Sequence, residues 1–135
     1  MAQVDLYTGI NAKLVASTGG GTFYADVTGR IYQDFAPQNA TLPFAVVSVL
    51  SDPQLISFSD NHLSATIECQ VWGDAASGPH AVRAINDKLV ALLHKQTITV
   101  SGFSNATMVA TDIGSSERIE DAILVTTLYE ITGAD

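Results

Sequence analysis

An α+β fold, a mainly antiparallel β-sheet with two α-helices packed on one face, follows from three observations. Two stretches carry apolar residues at helical spacing. One long segment, Leu63 to Trp72, alternates strictly between apolar and polar residues. The elements run in the order helix, strands, helix, strands, with no internal repeat and no linker. At 135 residues the chain is one domain by length and long enough to bury a core.

The first helix is expected over residues 4 to 16. Leu6, Ile10 and Leu14 recur every four residues, with Tyr7 beside them, and make one apolar stripe. Ser17-Thr18-Gly19-Gly20-Gly21-Thr22 should end it, because glycine releases the chain from helical geometry. No Gly-Lys-Ser/Thr follows that glycine run, so it does not read as a phosphate loop. Gly29 to Tyr32 is a short strand, and Asp34 to Thr41 a polar loop containing Pro37. Pro43 can begin a strand but cannot donate within one, so the buried, β-branched strand is Phe44 to Leu50.

Ser51 to Asn61 is the least regular stretch. It carries Pro53 and polar breaks, yet also Ile56 and Phe58, which are costly to expose. Either they fold back on the chain's own core, or the segment orders against something outside the domain, a neighbouring subunit or another protein of the assembly. In the strand Leu63 to Trp72, Leu63, Ala65, Ile67, Cys69 and Val71 share one face. The opposite face is polar until Trp72. Gly73 to Pro79 turns into the second helix, with Asp74 or Ser77 as N-cap and Pro79 in the first turn. That helix, Pro79 to Leu93, has the stripe Val82, Ile85, Leu89 and Leu92, widened by Leu93. His94 and Lys95 follow at its C-terminal end, where positive charge complements the dipole.

Thr97 to Val100 and Met108 to Ile113 read as a strand pair, and Arg118 to Ile131 as a last long strand. Ile119, Ile123, Val125, Tyr129 and Ile131 share one face of it, and Leu124 and Leu128 lie on the other. A strand apolar on both sides is either central in a covered sheet or part of an interface.

Composition narrows function more than it identifies it. The apolar fraction is 47%, and no apolar run approaches the roughly 20 residues of a membrane span. The start, Met1 to Asp5, lacks the basic and apolar regions of a secretory signal. The net charge is -8, and the six Lys and Arg are scattered, so a grip on nucleic-acid phosphates is not expected. Charged residues are only 15% of the chain, against about 25% in typical globular domains. Either the surface is rich in neutral polar groups, or part of it is buried against other subunits.

No pattern of residues points to catalysis. His62, His80 and His94 form no His-x-x-x-His pair, and no Cys or carboxylate joins them at metal spacing. Asp60 and His62 read as a polar loop end. Glu117, Glu120 and Asp121 around Arg118 read as a solvated turn with local charge pairing. Cys69, the single cysteine, reads as a buried small hydrophobe. No metal, nucleotide or other cofactor is expected.

Several of these pieces, in this order, resemble the tail completion (tail terminator) proteins of long-tailed phages. They are the Arg30-Ile31-Tyr32 strand, the Leu42-Pro43-Phe44 lead-in, and the strand ending Gln70-Val71-Trp72-Gly73. The helix after Gly78-Pro79 and the final strand with Thr127-Leu128-Tyr129 complete the set, which spans roughly residues 4 to 131. The resemblance implies a non-enzymatic virion protein. It implies a six-membered ring on the last ring of the tail tube that stops polymerisation and presents a surface to the head connector. Its partners would be other copies of itself, the major tail tube protein and the connector, with DNA passing through the lumen unbound and no membrane involved. The family supplies no interface motif, so the pattern alone nominates Ile56, Phe58, Arg30, Trp72, Leu124 and Leu128 for subunit or tube contacts. Two other readings stay open: another neck or head-tail connector component, and a small hydrolase or ligand-binding α+β domain.

Overall fold

Residues 2–16, 19–50, 63–100 and 103–133 are described by a computed structural model. Ile56, Phe58 and the rest of the irregular stretch 51–62 lie outside the described residues, as do Asp60 and His62.

Helix α1 is Ala2–Leu14, and Leu6, Tyr7, Ile10 and Leu14 are all buried, as the four-residue spacing predicts. The glycine run does more than end it. Thr22 caps a short helix α2, Phe23–Asp26, its Oγ1 accepting from the Ala25 N–H at 3.3 Å. Nothing in the sequence reading anticipated this turn of helix, because four residues are too few to show a period.

Strands β1, Ile31–Gln33, and β2, Phe44–Val49, pair in parallel. They are joined by a loop with a cis Leu42-Pro43 peptide. Strand β3, Leu63–Asp74, runs antiparallel to β2. Asp74 then caps a 3-10 turn through the Ala76 N–H, and helix α3, Gly78–Leu93, follows with Pro79 in its first turn. Of the two expected caps, Ser77 contributes no side-chain bond. Strands β4, Gln96–Val100, β5, Phe103–Ile119, and β6, Ala122–Gly133, complete a six-stranded sheet in the order β1-β2-β3-β6-β5-β4. The sheet is mixed: β1 against β2 is parallel, and the other described pairings are antiparallel. The α+β class therefore stands, with a parallel edge strand that the sequence did not signal.

The C-terminal third differs most from expectation. One strand was expected from Arg118 to Ile131, but the chain reverses at Glu120 and Asp121. Ile119 pairs with Ala122, and Glu120 takes φ 54°. A two-residue hairpin turn requires positive φ, usually from Gly or Asn, so Glu-Asp gives a weak signature. Ile119 consequently belongs to β5, is 39% exposed, and does not share the β6 core face. Strand β6 is central, between β3 and β5, which accounts for its apolar residues on both sides.

The core lies between the sheet and the helices. Ala65, Ile67, Cys69 and Val71 of β3 and Val125, Tyr129 and Ile131 of β6 meet Val82, Leu89 and Leu93 of α3. The α1 stripe joins the same cluster beside Ile98 and Met108. Backbones approach closely at two glycines. A Cβ on Gly73 would lie 2.4 Å from Val82 Cγ2, and one on Gly9 would lie 2.2 Å from the Thr99 carbonyl oxygen. Cys69 is fully buried, and burial pushes its thiol well above the ordinary range, which suits a small hydrophobe and not a nucleophile.

Polar ties fix the layers. The Tyr7 hydroxyl donates to Asp34 Oδ1 and accepts from the Val49 N–H, joining α1 to the end of β1 and to β2. Burial, reinforced by the bond to Asp34, raises the Tyr7 phenol. His94 does not simply complement the dipole of α3: its Nδ1 accepts from the Ala110 N–H at 2.9 Å, at the bulge where β5 runs beyond β4. Arg83 holds the same strand further along, through the Gly114 carbonyl at 3.1 Å and Ser116 Oγ at 2.8 Å.

Among the described side chains one core group is unsatisfied. Tyr129 is fully buried, and its hydroxyl has no partner among the described residues; burial raises its phenol. Deleting an unpaired hydroxyl removes a desolvation cost, so Tyr129→Phe should leave stability unchanged or raise it by about 1 kcal/mol. A loss of that size in urea unfolding would mean that the hydroxyl holds a buried water.

Candidate functional site

The helices cover one face of the sheet, and the other face collects the side chains of opposite parity. Phe44 pairs across β2 and β3 with Trp72, and Trp72 pairs across β3 and β6 with Leu124. The Phe44 and Trp72 rings stack at 5.8 Å between centroids, and Tyr32 meets Phe44 edge-on at 5.7 Å. Aromatic pairs at such spacings add about 0.5–1.5 kcal/mol beyond their buried area. Along β3 the Trp72 indole N–H donates to Gln70 Oε1, and Gln70 Nε2 donates to Glu68 Oε1. Trp72 is thus held in place, half-buried, at the head of a polar row.

Of the six residues that the sequence nominated, three meet on this outer face. Trp72 and Leu124 are neighbours, Leu124 being buried, and Leu128 sits four residues further along β6, half-buried and opposite Glu68. Arg30 lies at the sheet edge, with Nε donating to the Pro43 carbonyl at 3.1 Å, and so ties β1 to the lead-in of β2. Ile56 and Phe58 are among the undescribed residues.

The sequence reading missed Phe35. It falls in the stretch expected to be a polar loop and is 80% exposed, more than any other large described hydrophobe. With Ala36 and Pro37 it borders a hollow of about 320 Å³ whose floor is Phe44, Val46, Gln70 and Trp72. The signal was present as an aromatic between Asp34 and Ala36-Pro37, at a place where nothing in the periodicity required one. A second hollow, about 220 Å³, lies on the helix side between α2 and α3, walled by Thr22, Phe23, Lys88, Ala91 and Leu92. Lys88 at its rim is bonded to Asp26 of α2 at 2.6 Å.

Neither hollow brings together the convergent titratable groups that chemistry needs. Among the described residues no three His, Cys, Asp or Glu side chains are placed to hold a metal ion, and no helix is long and apolar enough to cross a membrane. The arrangement is that of packed aromatic and aliphatic surface with one protruding ring, which suits contact with other proteins.

The sequence model of the family "tail completion protein gp17" matches residues 8–126. The chain belongs to that family. It is therefore a structural component of the phage tail. No curated protein sequence matches the chain. Among solved structures, a chain from the virion of a native gene transfer agent particle is similar at a TM-score of 0.75 and 14% identity, over 96% of this chain and 95% of that one. A second solved structure is similar at a TM-score of 0.65 and 12% identity, over 100% of this chain and 96% of its own. At these identities the likeness is one of fold. The family match runs from α1 into β6, so both hollows and the Phe44, Trp72 and Leu124 part of the outer face lie within it, and Leu128 lies just beyond it.

Proposed function

We propose that this protein closes the head-proximal end of the tail tube. Six copies form a ring that sits on the last ring of tube subunits, stops elongation and presents a joint to the head-tail connector. The observation that carries this reading is the family match over residues 8–126. Its physical support is the surface: an exposed Phe35 bordering the same hollow as the half-buried Trp72, and only 15% charged residues. The contacts to neighbouring copies and to the tube would draw on Trp72, Leu124, Leu128 and Arg30, and on Ile56 and Phe58 of the irregular stretch.

A terminator must complement the tube with one face and fail to repeat that complementarity with the other. A ring of one chain achieves this when its two faces differ, as sheet and helix layers do here. The lumen must pass DNA without holding it. A net charge of -8 with six cations repels phosphate and offers no clustered grip. The protein would assemble in the host cytoplasm and remain in the virion.

Deleting the gene tests the proposal. Tails should become overlong or stay unjoined to heads, while heads still fill with DNA. Tails of normal length attached to heads would refute it, and complete loss of tails would assign the protein to the tube or its initiation instead.

A further inference from the structure

We propose that His94 is a proton-operated latch on the open edge of strand β5. Strand β4 covers that edge only as far as Met108, which pairs with Gln96. Beyond it β5 runs on to Ile119 with β6 on one side and, among the described residues, no strand on the other. An uncovered strand edge presents N–H and C=O groups with which a second chain can pair. Helix α3 takes over where β4 stops. The Lys95 N–H donates to the Met108 carbonyl at 2.7 Å, and His94 Nδ1 accepts from the Ala110 N–H at 2.9 Å. The ladder gains one more rung, with an imidazole nitrogen in place of a backbone carbonyl. About three turns earlier in α3, Arg83 donates to the Gly114 carbonyl and to Ser116 Oγ. One side of the helix thus holds the edge at two points.

The two points differ in chemistry. A guanidinium keeps its protons, so the Arg83 end holds at any ordinary pH. Histidine is the side chain that changes charge between about pH 5 and 8. A backbone N–H is received only by a ring nitrogen with a free lone pair, so the folded ring is the neutral tautomer with its proton on Nε2. Protonation of Nδ1 sets one N–H against another. The ring must then leave, and the Ala110 N–H loses its partner. The opening is local, because it falls at the register shift between Ala110 and Asp112, where the ladder to β6 is already interrupted. The ring is half-buried, so a proton reaches it without unfolding of the domain. The charged groups on the elements that meet it are Lys95, next in the chain, Arg83 and Asp87 on α3, Asp112 on β5, Glu130 on β6 opposite Val109, and Lys13 in the last turn of α1. Strand β4 carries none. The latch is closed at neutral pH and opens as pH falls.

The test uses the full chain labelled with nitrogen-15. Imidazole spectra at about pH 8 should show His94 with its proton on Nε2 and none on Nδ1. Amide exchange is then measured at about pH 8 and about pH 5, each corrected for the intrinsic rate at that pH. Protection at Ala110 should fall by about 10-fold on acidification, the worth of one lost hydrogen bond, while Val71 in the centre of the sheet keeps its own. His94→Asn retains an acceptor that does not titrate, so Ala110 should stay protected at both values. His94→Phe retains a ring and loses the acceptor, so protection should be low at both. A proton found on Nδ1 at pH 8, or equal protection of Ala110 at the two values, would overturn the latch, and both are read on the parent chain whatever the variants do. So would the parent's fall persisting in His94→Asn, which would assign it to another group, or a fall shared by Val71, which would assign it to the whole domain.

Discussion

Gly9→Ala is expected to destabilise the protein by about 2–3 kcal/mol, against the usual sign of that change. Alanine in a helix interior normally gains about 0.5–1 kcal/mol over glycine. Here α1 lies directly on β4. A Cβ at position 9 would meet the Thr99 carbonyl oxygen at 2.2 Å and Ile98 Cγ2 at 2.8 Å. The carbonyl belongs to the backbone of a paired strand, so it cannot rotate aside as a side chain would. The helix must lift instead, and Leu6, Tyr7, Ile10 and Leu14 lift with it. A gap of 0.5–1 Å already forfeits about a quarter to a half of each dispersion contact. For a domain of this size the loss corresponds to a fall in Tm of about 10 °C. Gly20→Ala is the control: a Cβ there meets nothing within 4 Å, so that variant should melt as the parent does or slightly higher. A Gly9→Ala protein that melts at or above the parent's temperature would show that α1 does not approach β4 this closely.

The helical stripes and the Leu63 to Trp72 alternation were legible because one face of each element is buried in a continuous core. Burial on one face writes a period into the sequence, and Ala65, Ile67, Cys69 and Val71 follow it at 3% exposure or less. Elements that lack such a face left no period. Helix α2 is four residues long and shows itself only through its Thr22 cap. Strand β1 is three residues long and lies at the edge of the sheet, where its parallel direction is set by the loop to β2. Strand β5 continues past β4 with register shifts at Ala110 to Asp112 and Asp112 to Ser115, so its alternation breaks just where a strand signal would be sought. The reversal at Glu120-Asp121 was hidden because the residue that takes positive φ is Glu120, and glutamate is not a usual carrier of it.

The interaction surface divides in the same way. Trp72, Leu124 and Leu128 could be nominated because a hydrophobe on the polar side of a strand is conspicuous. Phe35 and the α2–α3 hollow were not readable, since a loop has no face to violate. A hollow is made by residues far apart in the chain, here Phe23 with Ala91 and Leu92. Asn86 was missed for a related reason. It occupies the α3 position between Val82 and Leu89 on the buried side, where a polar residue reads as an interruption of the stripe until its partner on β6 is known.

That partner makes the second large effect. Asn86 and Thr127 are 2% and 0% exposed, the two buried polar side chains among the described residues. The amide faces the hydroxyl, with Nδ2 to Oγ1 at 3.0 Å and Oγ1 to Oδ1 at 3.2 Å. Each group satisfies the other in a place water does not reach, and together they fix the rotation of α3 over β6. Thr127→Val keeps the shape and strands the amide. Asn86→Leu keeps much of the volume and strands the hydroxyl. Each single change should cost about 1–3 kcal/mol, the desolvation of the group left behind. The double variant leaves nothing polar unpaired, so its cost should fall below the sum of the two by about 1–2 kcal/mol. Urea unfolding of the four proteins measures this. Strictly additive losses would mean that the two groups do not pair in the folded core, and that α3 is held on the sheet by its apolar stripe alone.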